Sequence, residues 1–193
     1  MKYVKMMGLL AVAAAALMAF VGTASATTIT SPTGSPYTGN IHAESHSPKT
    51  ILHGEALTVE CEESTVGGSI ATHGASVTAS GGISTLDFNK CNYEVTVLNK
   101  GSLEAHTTKP GHASLTSTGA EITIHGPFGI NCLYKTSNTP LGTLTDSHTT
   151  GGHATFDIDS ALIPRTGHSA FCGSFGEWTG SYTVTNPTRL YVD

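Results

Sequence analysis

The chain reads as all-β, an antiparallel β-sandwich or jelly roll of roughly ten to twelve strands. Three observations carry this. Beyond residue 26, apolar residues alternate at period two and never keep helical spacing for more than one turn. Turn signals separate the alternating runs, at Gly67-Gly68, Gly81-Gly82, Asn99-Lys100-Gly101, Ser117-Thr118-Gly119, Gly151-Gly152 and Asn186-Pro187. Four cysteines, Cys61, Cys91, Cys132 and Cys172, follow an export leader, which is the setting in which an even count implies two disulfides.

The leader occupies residues 1–26. Lys2 and Lys5 precede an almost unbroken apolar run from Met6 to Val21, and Ala24-Ser25-Ala26 supplies the small-x-small cleavage pattern. The run is shorter than the roughly 20 residues a membrane-spanning helix needs, so it reads as a cleaved signal peptide and the product as secreted, to the cell envelope or the extracellular space. No cysteine follows the run, which leaves out the lipid-anchored form of export. Residues 27–36, with Pro32, Gly34 and Pro36, read as an extended lead-in. It is either a loose arm or, through Thr28-Ile29-Thr30, an edge strand for another subunit. Residues 37–193 then form one β domain, with the first strand at Tyr37 to Glu44.

Within that domain, Leu57, Val59 and Cys61 alternate with Thr58, Glu60 and Glu62, so one set is buried and the other wet. The same device recurs at Tyr93, Val95 and Val97, at Ile122 and Ile124, and at Phe128, Ile130, Cys132 and Tyr134. It returns at Phe156 and Ile158, then at Trp178, Tyr182 and Val184. Each half has a cysteine ending a strand and a second cysteine 30 or 40 residues later, a faint sign of pseudo-repeat halves at 37–107 and 112–193. Four cysteines allow three connectivities. Chain order favours Cys61 with Cys91 and Cys132 with Cys172, each closing a loop that contributes roughly 3.5 to 4 kcal/mol in the chain-entropy model.

Charge narrows the partners. With Lys2 and Lys5 gone, seven Lys and Arg remain against fourteen Asp and Glu, a net charge of −7, and no two basic residues are adjacent after the leader. A nucleic-acid binder needs clustered cations to displace counterions, so that class is excluded. No cofactor motif is present.

Candidate chemistry is sparse. His42, Glu44 and His46 at i, i+2 and i+4 would share one face of a continuous strand and form the best metal candidate, although solvated polar surface is the plainer reading. Glu60, Glu62 and Glu63, and Asp157 with Asp159, lack the glycine-containing loop that calcium favours. The segment Cys172-Gly173-Ser174-Phe175-Gly176 lacks the first glycine of a nucleophile elbow, and no catalytic residue is assigned. The aromatic cluster Phe171, Phe175, Trp178, Tyr182 and Tyr191 reads mainly as core. Trp178 and Tyr182 are the candidates for stacking on a sugar.

The leader, the opening Ala-Thr-Thr-Ile-Thr-Ser-Pro-Thr-Gly, the strand Leu57 to Glu62 and the ending Trp178-Thr179-Gly180-Ser181-Tyr182-Thr183-Val184-Thr185 resemble small secreted bacterial β proteins without assigned function. That resemblance implies export and a β fold, and no site. Residues 24–62 are also similar in layout to exported surface proteins described as activators of alkane oxidation, which implies a role at the cell surface or in biofilm. The leading functional expectation is therefore an exported, non-enzymatic surface, adhesion or structural protein, self-associating through edge strands or meeting a cell-surface partner. A carbohydrate- or small-ligand-binding module is the alternative, and a secreted hydrolase the third.

Overall fold

The computed structural model describes residues 27–45, 49–55, 57–72, 79–164, 170–173 and 176–193. The leader at 1–26 and His46 lie outside the described residues. No helix among the described residues is long and apolar enough to cross a membrane.

The domain is all-β with two disulfides, and its main sheet closes on itself. β1 (Ile29–Thr30) stands apart from the ring, which starts with β2 (Thr38–Ser45) and β3 (Thr50–Gly54) in one shared position. Next come β4 (Thr58–Thr72) and β5 (Ala79–Cys91). β6 (Glu94–Asn99) leaves the ring, and β7 (Ser102–Lys109) and β8 (His112–Thr118) re-enter it. β9 (Glu121–His125) and β10 (Asn131–Lys135) leave again, before β11 (Thr139–Thr145), β12 (Thr155–Pro164) and β13 (Gly176–Asn186) complete the circuit. β13 then pairs with both β2 and β3, closing an eight-stranded antiparallel barrel.

That closure corrects the sandwich expectation. Alternation of Phe156 and Ile158 or of Tyr182 and Val184 specifies one buried face, and two facing sheets satisfy it as well as a ring does. The deciding contact is Val184 opposite Ala43, between strands at the two ends of the domain, which leaves the ring no free edge. Both pseudo-repeat halves contribute strands to this one ring, and they meet at β7–β8 and at β13 with β2 and β3.

The core confirms most inward positions: Val59, Cys61, Ile122, Ile124, Cys132, Tyr134, Phe156, Ile158, Trp178, Tyr182 and Val184 are all buried. On β4 the buried parity changes from Val59 and Cys61 to Ser64 and Val66, because Glu62 and Glu63 both face water where β3 gives way to β2 as partner. Phe128 departs from expectation. It is fully exposed, in a 3-10 turn at Pro127–Gly129 with φ 60, so the hairpin between β9 and β10 turns where an inward strand position is predicted. Pro127 and Gly129 supply the turn, and alternation alone ignores them.

The two disulfides have the pairing that chain order favours, in different settings. Cys61 and Cys91 face each other in register on β4 and β5, with Cα atoms 4.0 Å apart. Cys132 on β10 bonds Cys172 in a 3-10 turn at Ala170–Cys172, with Cα atoms 5.3 Å apart. There the Tyr134 hydroxyl donates to the Cys172 carbonyl (2.9 Å), and a Cβ on Gly176 would sit 2.8 Å from the Tyr134 ring.

The lead-in belongs to the chain's own core. β1 pairs with β14 (Tyr191–Val192), and Ile29 is fully buried. Thr28 and Asp193 exchange backbone hydrogen bonds of 3.1 and 2.9 Å, and the Thr107 amide donates to Thr27 Oγ1 (2.7 Å). A short helix α1 (Ser147–Thr150) joins this ribbon, its Ser147 amide donating to the Leu190 carbonyl (2.9 Å). Residues 27–36 thus neither hang free nor present Ile29 to a second subunit.

Candidate functional site

Two concavities lie on opposite faces of the β1–β14 ribbon. Inside the barrel is a cavity of about 80 Å3 whose walls include Ile41, Val66, Ile70, Ile83, Leu103 and Phe156. Ile29 and Leu190 also line it, contributed by the ribbon end of the domain. Small inward residues make the space: Ala79 and Ala105, both buried, stand where larger side chains would fill the barrel. Gly67-Gly68 and Gly81-Gly82, expected only as turns, instead lie within β4 and β5, the first pair at a register shift, and line the same cavity. Ser69, Gly82 and Glu104 also border it, at solvent-exposed positions of their strands, and the space is partly open rather than sealed. The surface of the lining is almost wholly apolar.

A deeper void of about 10 Å3 shares Val66, Ile83, Leu103, Leu115 and Phe156 with the cavity and extends to Trp178. This is about the volume swept by one water-sized sphere, too little for a ligand.

Trp178 and Tyr182 are therefore core residues, which corrects the sugar-stacking expectation. Trp178 is 5% exposed and Tyr182 1%. The Trp178 ring meets Phe88 edge-on at 5.5 Å, while Tyr182 stacks on Phe156 at 4.9 Å, so both rings pack against other core aromatics. The Tyr182 hydroxyl shares a 2.9 Å hydrogen bond with Ser64 Oγ and accepts from Thr50 Oγ1 at 3.4 Å. Burial pushes its phenol above the ordinary value, and hydrogen bonding opposes that rise. Tyr134 is raised too, by burial first and then by the Glu55 carboxylate.

His42 and Glu44 do fall on one face of β2, with Nε2 3.4 Å from Oε1, but the third proposed ligand, His46, lies outside the described residues. Among the described residues no group of three or more His, Cys, Asp or Glu side chains could hold a metal ion. The acidic groups make other contacts: Glu60 pairs with Lys49 and Glu63 with Lys90, while Asp157 accepts from Ser181 Oγ at 2.6 Å. Ser174 and Phe175 lie outside the described residues.

The second concavity, about 530 Å3, lies on the outer side of the ribbon and was not anticipated. Its side chains include Asp146, His148, Thr149, Tyr191 and Asp193. One local signal existed in the sequence. Asp146 caps α1, accepting the Thr149 amide at 2.7 Å, and an aspartate followed by Ser-His-Thr-Thr and two glycines has the composition of a capped turn.

Comparison of the chain with protein-family models, with curated proteins and with solved structures gives no match.

Proposed function

We propose that this is an exported, non-enzymatic binding protein whose barrel takes up part of a small apolar molecule. The observation that carries the reading is the cavity behind Ile29. It is partly open, yet lined by carbon, so water inside would find few partners. Apolar groups entering such a space gain about 0.8 kcal/mol per buried CH2. At about 80 Å3 the cavity takes a few carbons of a larger ligand, the remainder lying at the opening. Two disulfides fit an oxidising compartment, which supports export.

The test is NMR titration of the mature chain with benzene, cyclohexane and n-pentane, following the methyl groups of Ala79 and Ala105. Saturable shifts that Ala105→Leu abolishes support the reading. Absence of saturable shifts, or shifts that survive Ala105→Leu, refutes it. A surface or adhesive role draws on one separate observation, the fully exposed Phe128 on the β9–β10 hairpin, which offers an apolar contact to a neighbour.

A further inference from the structure

We propose that the outer face of the β1–β14 ribbon is a second binding site, selective for short neutral saccharides. This does not rest on the apolar cavity, since the ribbon separates the two spaces. Ile29 and Leu190 serve the inner one, while Thr30, Tyr191 and Asp193 serve the outer one.

The outer cleft has the size and chemistry of a sugar site. Its volume of about 530 Å3 falls within the span of roughly 300–1,000 Å3 usual for small-molecule sites. A sugar presents hydroxyl donors around its rim and a C–H face, so its site needs acceptors set around a ring. Tyr191 supplies the ring: it is half-buried, and the His148 ring packs edge-on against it at 6.2 Å, limiting its orientation. Two carboxylates supply the acceptors. Asp146 is 4% exposed and held by two backbone donors, Thr149 N at 2.7 Å to Oδ1 and Val192 N at 3.4 Å to Oδ2. Each oxygen can accept one more hydrogen bond. Asp193 is exposed, and Thr30 Oγ1 donates to its Oδ2 at 2.8 Å. Pre-positioned carboxylates of this kind accept charge-assisted hydrogen bonds from hydroxyls.

The shape depends on Gly111. Its φ is +80, and a Cβ there would lie 2.3 Å from Thr149 Oγ1 and 3.3 Å from Asp146 Oδ1. Any other residue would intrude between the two groups offered to the ligand.

Charge sets the selectivity. Asp146 and Asp193 face a cleft in which His148 is the one lining group able to become cationic. A carboxylated sugar would bring like charge to two carboxylates, so neutral sugars are preferred and uronates rejected.

The test is amide NMR titration of the mature chain with methyl β-glucoside, maltose, cellobiose and chitobiose on one side and glucuronate and galacturonate on the other. Saturable shifts are expected at Gly111, Thr149 and Tyr191 with at least one neutral sugar, and binding about tenfold weaker for the uronates. Tyr191→Ala should weaken neutral-sugar binding about tenfold or more, with the thermal midpoint little changed. Asp193→Asn should narrow the gap between neutral and acidic sugars. No saturable shift with any neutral sugar, or equal binding by Tyr191→Ala, overturns the proposal. Preference for uronates overturns its charge argument. Because Ala79 and Ala105 report on the inner cavity and Gly111 on the cleft, failure of one site is distinguishable from failure of the other.

Discussion

Tyr182→Phe removes a single oxygen from the centre of the barrel, and the structure sets the scale of the effect. The hydroxyl binds Ser64 Oγ at 2.9 Å and Thr50 Oγ1 at 3.4 Å, and both partners are at most 1% exposed. The shorter bond contributes about 1 kcal/mol net, and leaving a buried Ser64 hydroxyl without that partner costs about 1 kcal/mol more. The expected loss is about 2 kcal/mol at neutral pH, which for a domain of this size lowers Tm by about 4–8 °C. Adding Ser64→Ala should recover part of it, because replacing both partners by apolar groups leaves nothing unsatisfied. The pH dependence has a definite sign. Burial raises the folded phenol above its ordinary value near 10, so the protonated ring's contribution is complete below pH about 10 and is lost as pH rises through the folded value. Urea melts of wild type, Tyr182→Phe and the double variant from pH 7 to 11 check both effects. The wild type should lose stability above pH 10 more steeply than Tyr182→Phe, with a residual slope from Tyr134, whose phenol is raised in the same direction. Equal stability of Tyr182→Phe and wild type at pH 7, together with equal alkaline slopes, would refute the reasoning.

Replacing Ile29 by Ala removes a fully buried side chain from the wall of the cavity and should cost about 2–4 kcal/mol in denaturant melts. A cost under 1 kcal/mol would mean that the ribbon is not seated on the core. Loss of the Cys132–Cys172 bridge as the double serine variant should lower stability by up to about 4 kcal/mol, from its sequence separation of 40, and thermal melts with and without reductant measure it. Phe128→Gly should be neutral or raise stability by about 0.5–1 kcal/mol, since the side chain buries nothing and φ 60 suits glycine. A destabilisation above 1 kcal/mol in a urea melt would show that the ring packs on something.

Local chemistry determined much of this protein. Alternation at Val59 and Cys61, at Phe156 and Ile158, and at Trp178, Tyr182 and Val184 follows from the pleat, which puts successive side chains on opposite faces wherever a strand is half-buried. Those residues therefore identified themselves as strand and core from the sequence, and the four cysteines announced two crosslinks. Tertiary structure decided what neighbours in sequence cannot encode. Closure rests on Val184 meeting Ala43, and a barrel and a sandwich share the same one-sided alternation. Ala79 and Ala105 are small inward residues whose effect, a cavity, exists only once seven other strands fix the distance across the ring. Trp178 and Tyr191 belong to one aromatic cluster in the sequence. Closure of the barrel buries the first against Phe88, whereas the docking of β14 on β1 leaves the second beside an open cleft, because burial is set by what packs from elsewhere in the chain.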